Sequence, residues 1–182
     1  ELRNKLLKAG GPAFIPEPAE AFLDSEMVCK MILNQGGIPT YPFLADDNNG
    51  NFTPFEVSKE KAAKTLKERN IWSVELITTR NSLEVLEDYV QFFYNEGFAV
   101  TLGSEHNTPA MEPVGLFARN KTDLSAILKE INYKGACIVA AHQYLNATEG
   151  KGYLDAEGKP YIEKRDHFIT LGMALIEYLI QN

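Results

Sequence analysis

The stretch Phe98-Ala99-Val100-Thr101-Leu102-Gly103-Ser104-Glu105-His106-Asn107-Thr108-Pro109 decides the fold. It begins as a short apolar run of the length and composition that suit a buried strand. It then breaks at Gly103 into a hydroxyl, a carboxylate, an imidazole and an amide. In parallel α/β architectures, ligands and catalytic groups collect at the carboxyl ends of strands and in the loops just beyond them. Glu105 and His106 are therefore the leading candidate pair.

Working outward, the chain before this strand alternates between two periods. Ser25 is read as the cap of a helix over 26–34, with Met27, Met31 and Ile32 on one face and Gly36-Gly37 as its stop. Ile38 to Ala45 reads as a short strand whose two prolines require an edge position, and Asp46 to Asn51 as a polar turn. Ser58 opens a helix to Arg69, Ile71 to Thr79 is a strand, and Ser82 caps a helix to Asn95 that ends at Gly97. Helix and strand in strict alternation predict an α/β fold with parallel strands.

After Pro109 the alternation stops. The pattern predicts one helix from Asp123 to about Asn132, another from Lys134 to Ala147, and a last one from about Glu163 to Ile180. Leu171, Leu175, Ile176 and Leu179 are its expected buried stripe. A single domain over 1–182 is expected, with βα units over 25–109 and a mostly helical extension over 123–182.

The 182 residues are 45% hydrophobic, enough for one substantial core. Eighteen basic against 25 acidic residues give a net charge of −7, which argues against nucleic acid and anionic membrane as partners. No apolar stretch reaches the roughly 18 to 20 residues of a membrane span, and no signal-like segment opens the chain; a cytoplasmic setting is the expectation. Cys29 and Cys137 lie far apart in apolar surroundings and read as reduced structural thiols. The first residue is Glu1 and a helical pattern begins at once, so the chain reads as cut or processed from a longer protein.

A carboxylate and an imidazole side by side at a strand end suit a divalent metal, and equally acid and base catalysis. The plain alternative is that Glu105 and His106 only hydrogen-bond a loop. Asp46, at the end of the preceding strand, is a candidate substrate-binding group set in ordinary turn composition. Tyr41, by its phenol, and Asn107, by its amide, are the other two substrate-binding candidates, although an aromatic in a strand usually packs. Glu75, between Val74 and Leu76, needs a partner if buried and otherwise faces solvent by strand alternation. His142 and His167 fall within helical patterns and read as packing or surface residues. There is no P-loop, no dinucleotide fingerprint and no Ser-His-Asp order.

The progression Gly36-Gly37-Ile38-Pro39-Thr40-Tyr41-Pro42, then Val74-Glu75-Leu76-Ile77, then Leu102-Gly103-Ser104-Glu105-His106 resembles the second half of the PHP domain, the polymerase and histidinol phosphatase superfamily. The similarity runs from Ser25 to Pro109. It implies a partial (β/α) barrel holding divalent metal ions, Zn, Mn or Fe, for hydrolysis of phosphate esters. Gly103-Ser104-Glu105-His106 resembles the family's late Gly-Ser-Asp-x-His motif, with Glu for Asp and one residue fewer, which makes Glu105 and His106 the metal ligands and catalytic residues. Tyr41 stands where the family has the His of a His-Pro pair. The early His-x-His motif is absent from a chain with only three histidines.

The resemblance thus implies a fragment of a metal-dependent phosphoesterase acting on a small phosphorylated substrate. Its partner would be a missing N-terminal segment or a second copy of the chain. An amide or lactone hydrolase on the same barrel, and a degenerate barrel kept for binding or assembly, are the alternatives.

Overall fold

The computed structural model describes residues 2–47, 49–104 and 114–181. Its centre is a parallel sheet of three strands in the order β1 (Thr40–Phe43), β2 (Ser73–Ile77), β3 (Ala99–Gly103). The connections are α2 (Lys59–Glu68) between β1 and β2 and α3 (Leu83–Asn95) between β2 and β3; α1 (Ser25–Asn34) precedes β1. The protein is thus mixed α/β with parallel strands, as the alternation predicts; barrel closure is not seen. A two-stranded antiparallel pair, β4 (Phe117–Ala118) with β5 (Thr122–Asp123), follows, and then two long helices, α4 (Ala126–Glu149) and α5 (Arg165–Gln181). No helix among the described residues is long and apolar enough to cross a membrane.

The register separates the two faces of the sheet, because paired residues in a parallel ladder point the same way. Tyr41 pairs with Val74, and Phe43 with Leu76; Val74 and Leu76 in turn pair with Val100 and Leu102. All except Tyr41 are buried, and this face packs on Ala62, Ala63 and Leu66 of α2 and on Leu86, Val90 and Phe93 of α3. Phe43 and Phe93 pack with tilted rings, centroids 5.0 Å apart, and Phe93 meets Phe98 edge to face at 5.1 Å. The opposite face is largely polar toward β1, with Thr40 and Pro42 exposed beside Ser73, Glu75 and Thr101, and apolar at Ala99, which is buried in a second cluster with Cys137 and Ile138 of α4 and Phe168 and Ile169 of α5. Thr40 Oγ1 donates to Ser73 Oγ at 3.0 Å across it.

β1 is an edge strand, consistent with its proline. The other edge is covered: α4 runs beside β3, and Asn132 Oδ1 accepts the Leu102 amide at 2.8 Å, satisfying a donor that β3 would otherwise leave open.

Local chemistry sets the helix ends. Ser58 caps α2 by accepting from Lys61 N, and Ser82 caps α3 by accepting from Val85 N. For α1 the cap is Asp24, whose carboxylate accepts from Glu26 N, and Ser25 is the first helical residue instead of the cap. Met27 and Met31 lie on the surface, so their shared face is not a core face.

Two further expectations are corrected. The pair of helices over 123–132 and 134–147 is one 24-residue helix, α4. Nothing at Tyr133 to Gly135 breaks it. Gly135 is where α4 meets β3, and a Cβ there would strike the Val100 carbonyl. The stripe of α5 also ends early: Phe168, Ile169 and Gly172 are its buried residues, while Leu179 is 72% exposed. Gly172 seats α5 on α4, because a Cβ would strike the Cys137 backbone.

These contacts reverse an ordinary rule. Gly to Ala in a helix interior normally stabilises by about 0.5–1 kcal/mol. Here Gly135→Ala and Gly172→Ala are each expected to destabilise by about 1–3 kcal/mol through overpacking, read as a lower urea midpoint. An alanine variant as stable as the parent would contradict the close approach.

Candidate functional site

The carboxyl ends of β1 and β2 converge on a small set of buried polar groups, and the register puts the end of β3 beside them. The chain leaves β1 through Leu44 and Ala45. Ala45 is held at φ +50, a left-handed conformation that costs a non-glycine residue of the order of 1 kcal/mol. Two neighbours stabilise it. Glu56, 1% exposed, accepts from Leu44 N at 3.0 Å and Ala45 N at 3.1 Å, and the Tyr41 hydroxyl donates to the same carboxylate at 3.2 Å. The Glu56 carbonyl accepts the Tyr89 hydroxyl at 2.8 Å. Glu56 therefore caps β1 as an acid caps a helix N-terminus, filling a concavity of amides with negative charge.

Asp46 follows, 2% exposed. Its carboxylate accepts from Ser82 N at 3.2 Å and pairs with Arg119 Nη2 at 2.7 Å. The Arg119 guanidinium also donates to the carbonyls of Asp46, Asp47 and, through Nε at 2.8 Å, Arg80. One cation thus fastens the segment after β1 to the segment after β2. Asp47 behaves as turn composition implies, accepting from Asn49 N and Asn51 N; these bonds, that of Asn51 foremost, hold its carboxyl below the usual range.

Glu75 sits between these loops and β3. It is half-buried on the polar face, and a Cβ on Gly103 would collide with its Oε1, so its carboxylate lies over the end of β3. Among the described residues it has no hydrogen-bond or ion-pair partner. Thr78 Oγ1, also buried, donates to the Gly103 carbonyl at 3.4 Å. Arg80, half-buried, carries an Nε without a hydrogen-bond partner among the described residues.

The sequence-predicted residues fare differently. Glu105, His106 and Asn107 lie outside the described residues. Asp46 lies just beyond the end of β1 and Tyr41 within β1, and both are held in internal contacts: Tyr41 by Glu56, and Asp46 by Arg119 and Ser82. Glu56 and Arg119 were not legible as site residues, since neither sits in a motif. The only sequence signal was indirect, in that a buried Asp46 would require a cation from somewhere in the chain. No group of three or more His, Cys, Asp or Glu able to hold a metal ion occurs among the described residues. His142 is buried by packing and His167 is exposed beside Phe168, as their helical settings imply.

Burial pushes the phenols of Tyr41 and Tyr89 up to about 12, with the Glu56 charge adding to the first and Asp88 to the second. A phenol whose folded value lies above its unfolded value of 10.0 contributes stability that is intact below that pH and lost as pH rises toward 12. Alkaline unfolding should therefore shift to higher pH in Tyr41→Phe, and an unchanged alkaline limb would contradict this. Glu56→Ala leaves two amides uncapped beside a strained residue and is expected to cost about 2–4 kcal/mol in denaturant unfolding, with Glu56→Gln less severe. A neutral Glu56→Ala would remove the capping role. Neither a family model, nor a curated protein, nor a solved structure matches this chain.

Proposed function

We propose that the chain forms part of a PHP-type metal-dependent hydrolase acting on phosphate esters, its centre at the carboxyl ends of β1, β2 and β3. The observation that carries this reading is Glu75: a carboxylate laid over Gly103, immediately before Ser104-Glu105-His106, with no partner among the described residues. A half-buried acid left unpaired while its neighbours Asp46 and Glu56 are saturated fits a group kept for a ligand. The second face of the sheet supports the same reading in part: α4 and α5 cover it at Ala99 of β3, while toward β1 Thr40 and Pro42 are exposed and Glu75 is half-buried, where a parallel sheet is normally covered on both sides. We read it as the inner wall of a partial barrel completed by a further segment or by a second copy.

The donor set fits a divalent ion only if the two sides of Gly103 combine. Glu75 is the one uncommitted carboxylate at the strand ends among the described residues, and Glu105 and His106 would complete the cage. An ion such as Zn, Mn or Fe would supply charge stabilisation to the phosphoryl oxygens. The chain's own residues would do the rest. Arg80 offers a guanidinium to an anionic ester, and Arg119 and Glu56 hold the loops that shape the site.

A second reading, a non-catalytic barrel kept for binding, is favoured by the internal commitment of Tyr41 and Asp46. The two separate on metal content and turnover. The intact protein, with the barrel completed, should carry divalent metal and hydrolyse p-nitrophenyl phosphate. Glu75→Gln, Glu105→Gln and His106→Asn should each lose most of the metal and about 100-fold or more in rate while keeping the parental circular dichroism. Equal metal content in all four proteins would sink the hydrolase. Turnover of an amide or lactone in place of the phosphate ester would keep the barrel and change the reaction.

A further inference from the structure

At the opposite end of the sheet, the chain from Gly150 to Tyr161 folds over the junction of α1, α4 and α5. It is tied within itself: Leu154 pairs with Pro160, and the Asp155 carboxylate accepts from Glu157 N and Lys159 N. Tyr153, fully buried, plugs it into the core against Phe168, with ring centroids 5.2 Å apart.

The polar tie between this loop and the body is His142 of α4, 4% exposed. Tyr153 N donates to its Nδ1 at 2.9 Å, so Nδ1 must carry a lone pair and the ring proton must sit on Nε2. Nε2 then donates to the Gly36 carbonyl at 3.0 Å, at the end of α1. One neutral tautomer satisfies both contacts, and no other protonation state can. Gly152 presses on the ring so closely that a Cβ would strike it, so the loop packs directly on the imidazole.

The loop also walls two hollows. One of about 310 Å³ is lined by Gly36, His142, Asn146, Lys151 and Asp155, and the other, of about 650 Å³, lies between α1 and the end of α2 beside Cys29, Lys30 and Arg69. Leu33 and Ala156 border both.

We propose that His142 is a proton-operated latch: protonation at Nδ1 sets a donor against the Tyr153 amide, releases the 150–161 loop, and joins the two hollows into one open groove. Among the described residues, the ring has no carboxylate as a hydrogen-bond or ion-pair partner. The charged groups around the ring, Lys151 and Asp155, are on the loop itself, and Asp155 is already engaged by backbone amides. Tyr161 is the remaining titratable group of that hollow. From α1 and the turn after it, Leu33, Gly36 and Gly37 line that hollow and none is charged, and Asn146 on α4 is neutral. Arg165 and Glu163 act on the Tyr153 phenol.

The direction follows from linkage. Burial lowers the His142 value below its ordinary 6.5, against a smaller opposing effect of the Gly36 bond. The released loop binds the proton more readily than the closed one. Closure is therefore intact above about pH 6.5 and weakens by up to about tenfold per pH unit below it.

Amide hydrogen exchange on the full chain tests this at about pH 7.5 and about pH 5.5, corrected for intrinsic rates. The Tyr153 amide should lose protection at the lower pH, by up to about tenfold, while the Leu76 amide of β2 keeps its own. In His142→Gln, Tyr153 protection should no longer depend on pH, whatever its absolute level. The latch is overturned if Tyr153 protection is equal at the two pH values, if Leu76 loses protection in step with it, or if His142→Gln shows the same loss as the parent.

Discussion

The Arg119 guanidinium is the contact on which the strand-end architecture depends. It reaches the Asp46 carboxylate and three backbone carbonyls, from two loops that follow different strands. Removing two charges from water is expensive, and the pair is tolerable only because its hydrogen-bonding capacity is so fully used. Such pairs often contribute little net stability compared with apolar replacements. What this one contributes is position: it fixes where β1 and β2 release the chain. Glu56 does the same for the first residues after β1, where Ala45 would otherwise relax out of its left-handed conformation.

That arrangement divides the acids of the region by task. Asp46 and Glu56 are saturated by protein donors and act as fasteners. Glu75, on the polar face and turned over Gly103, has no such donor among the described residues. Three carboxylates within one set of strand ends therefore have different chemical availability, set by which backbone amides and cations each can reach. The division explains why turn composition around Asp46 misdescribes it: Asp47 serves the turn, while its neighbour is drawn inward by a cation more than seventy positions away.

The strands and the parallel order were legible because period-two apolar runs alternate with capped helices, and Ser58 and Ser82 carry their caps openly. The long α4 was not: its pattern reads as two helices divided between Asn132 and Lys134, with Gly135 inside the second, and only the Val100 carbonyl reveals that glycine as a seat for a neighbouring strand. Leu179 shows the opposite failure. It continues the spacing of Leu175 and Ile176, but α5 outruns the body it packs against, and periodicity cannot say where a partner ends. Of the site, position was partly readable and partnership was not: Tyr41 and Asp46 stood out in and just after β1, whereas Glu75, inside β2, read more simply as a solvent-facing residue. Their states follow from Glu56 and Arg119, which no local pattern marks.

The central claim, that Arg119 and Asp46 act as one unit to hold the strand ends, is tested most directly by a double-mutant cycle. Arg119→Met, Asp46→Asn and the double variant would be unfolded in urea. The account predicts a coupling energy of about 1–3 kcal/mol, the double variant losing clearly less than the sum of the single losses. Losses that add to within about 0.5 kcal/mol would contradict it.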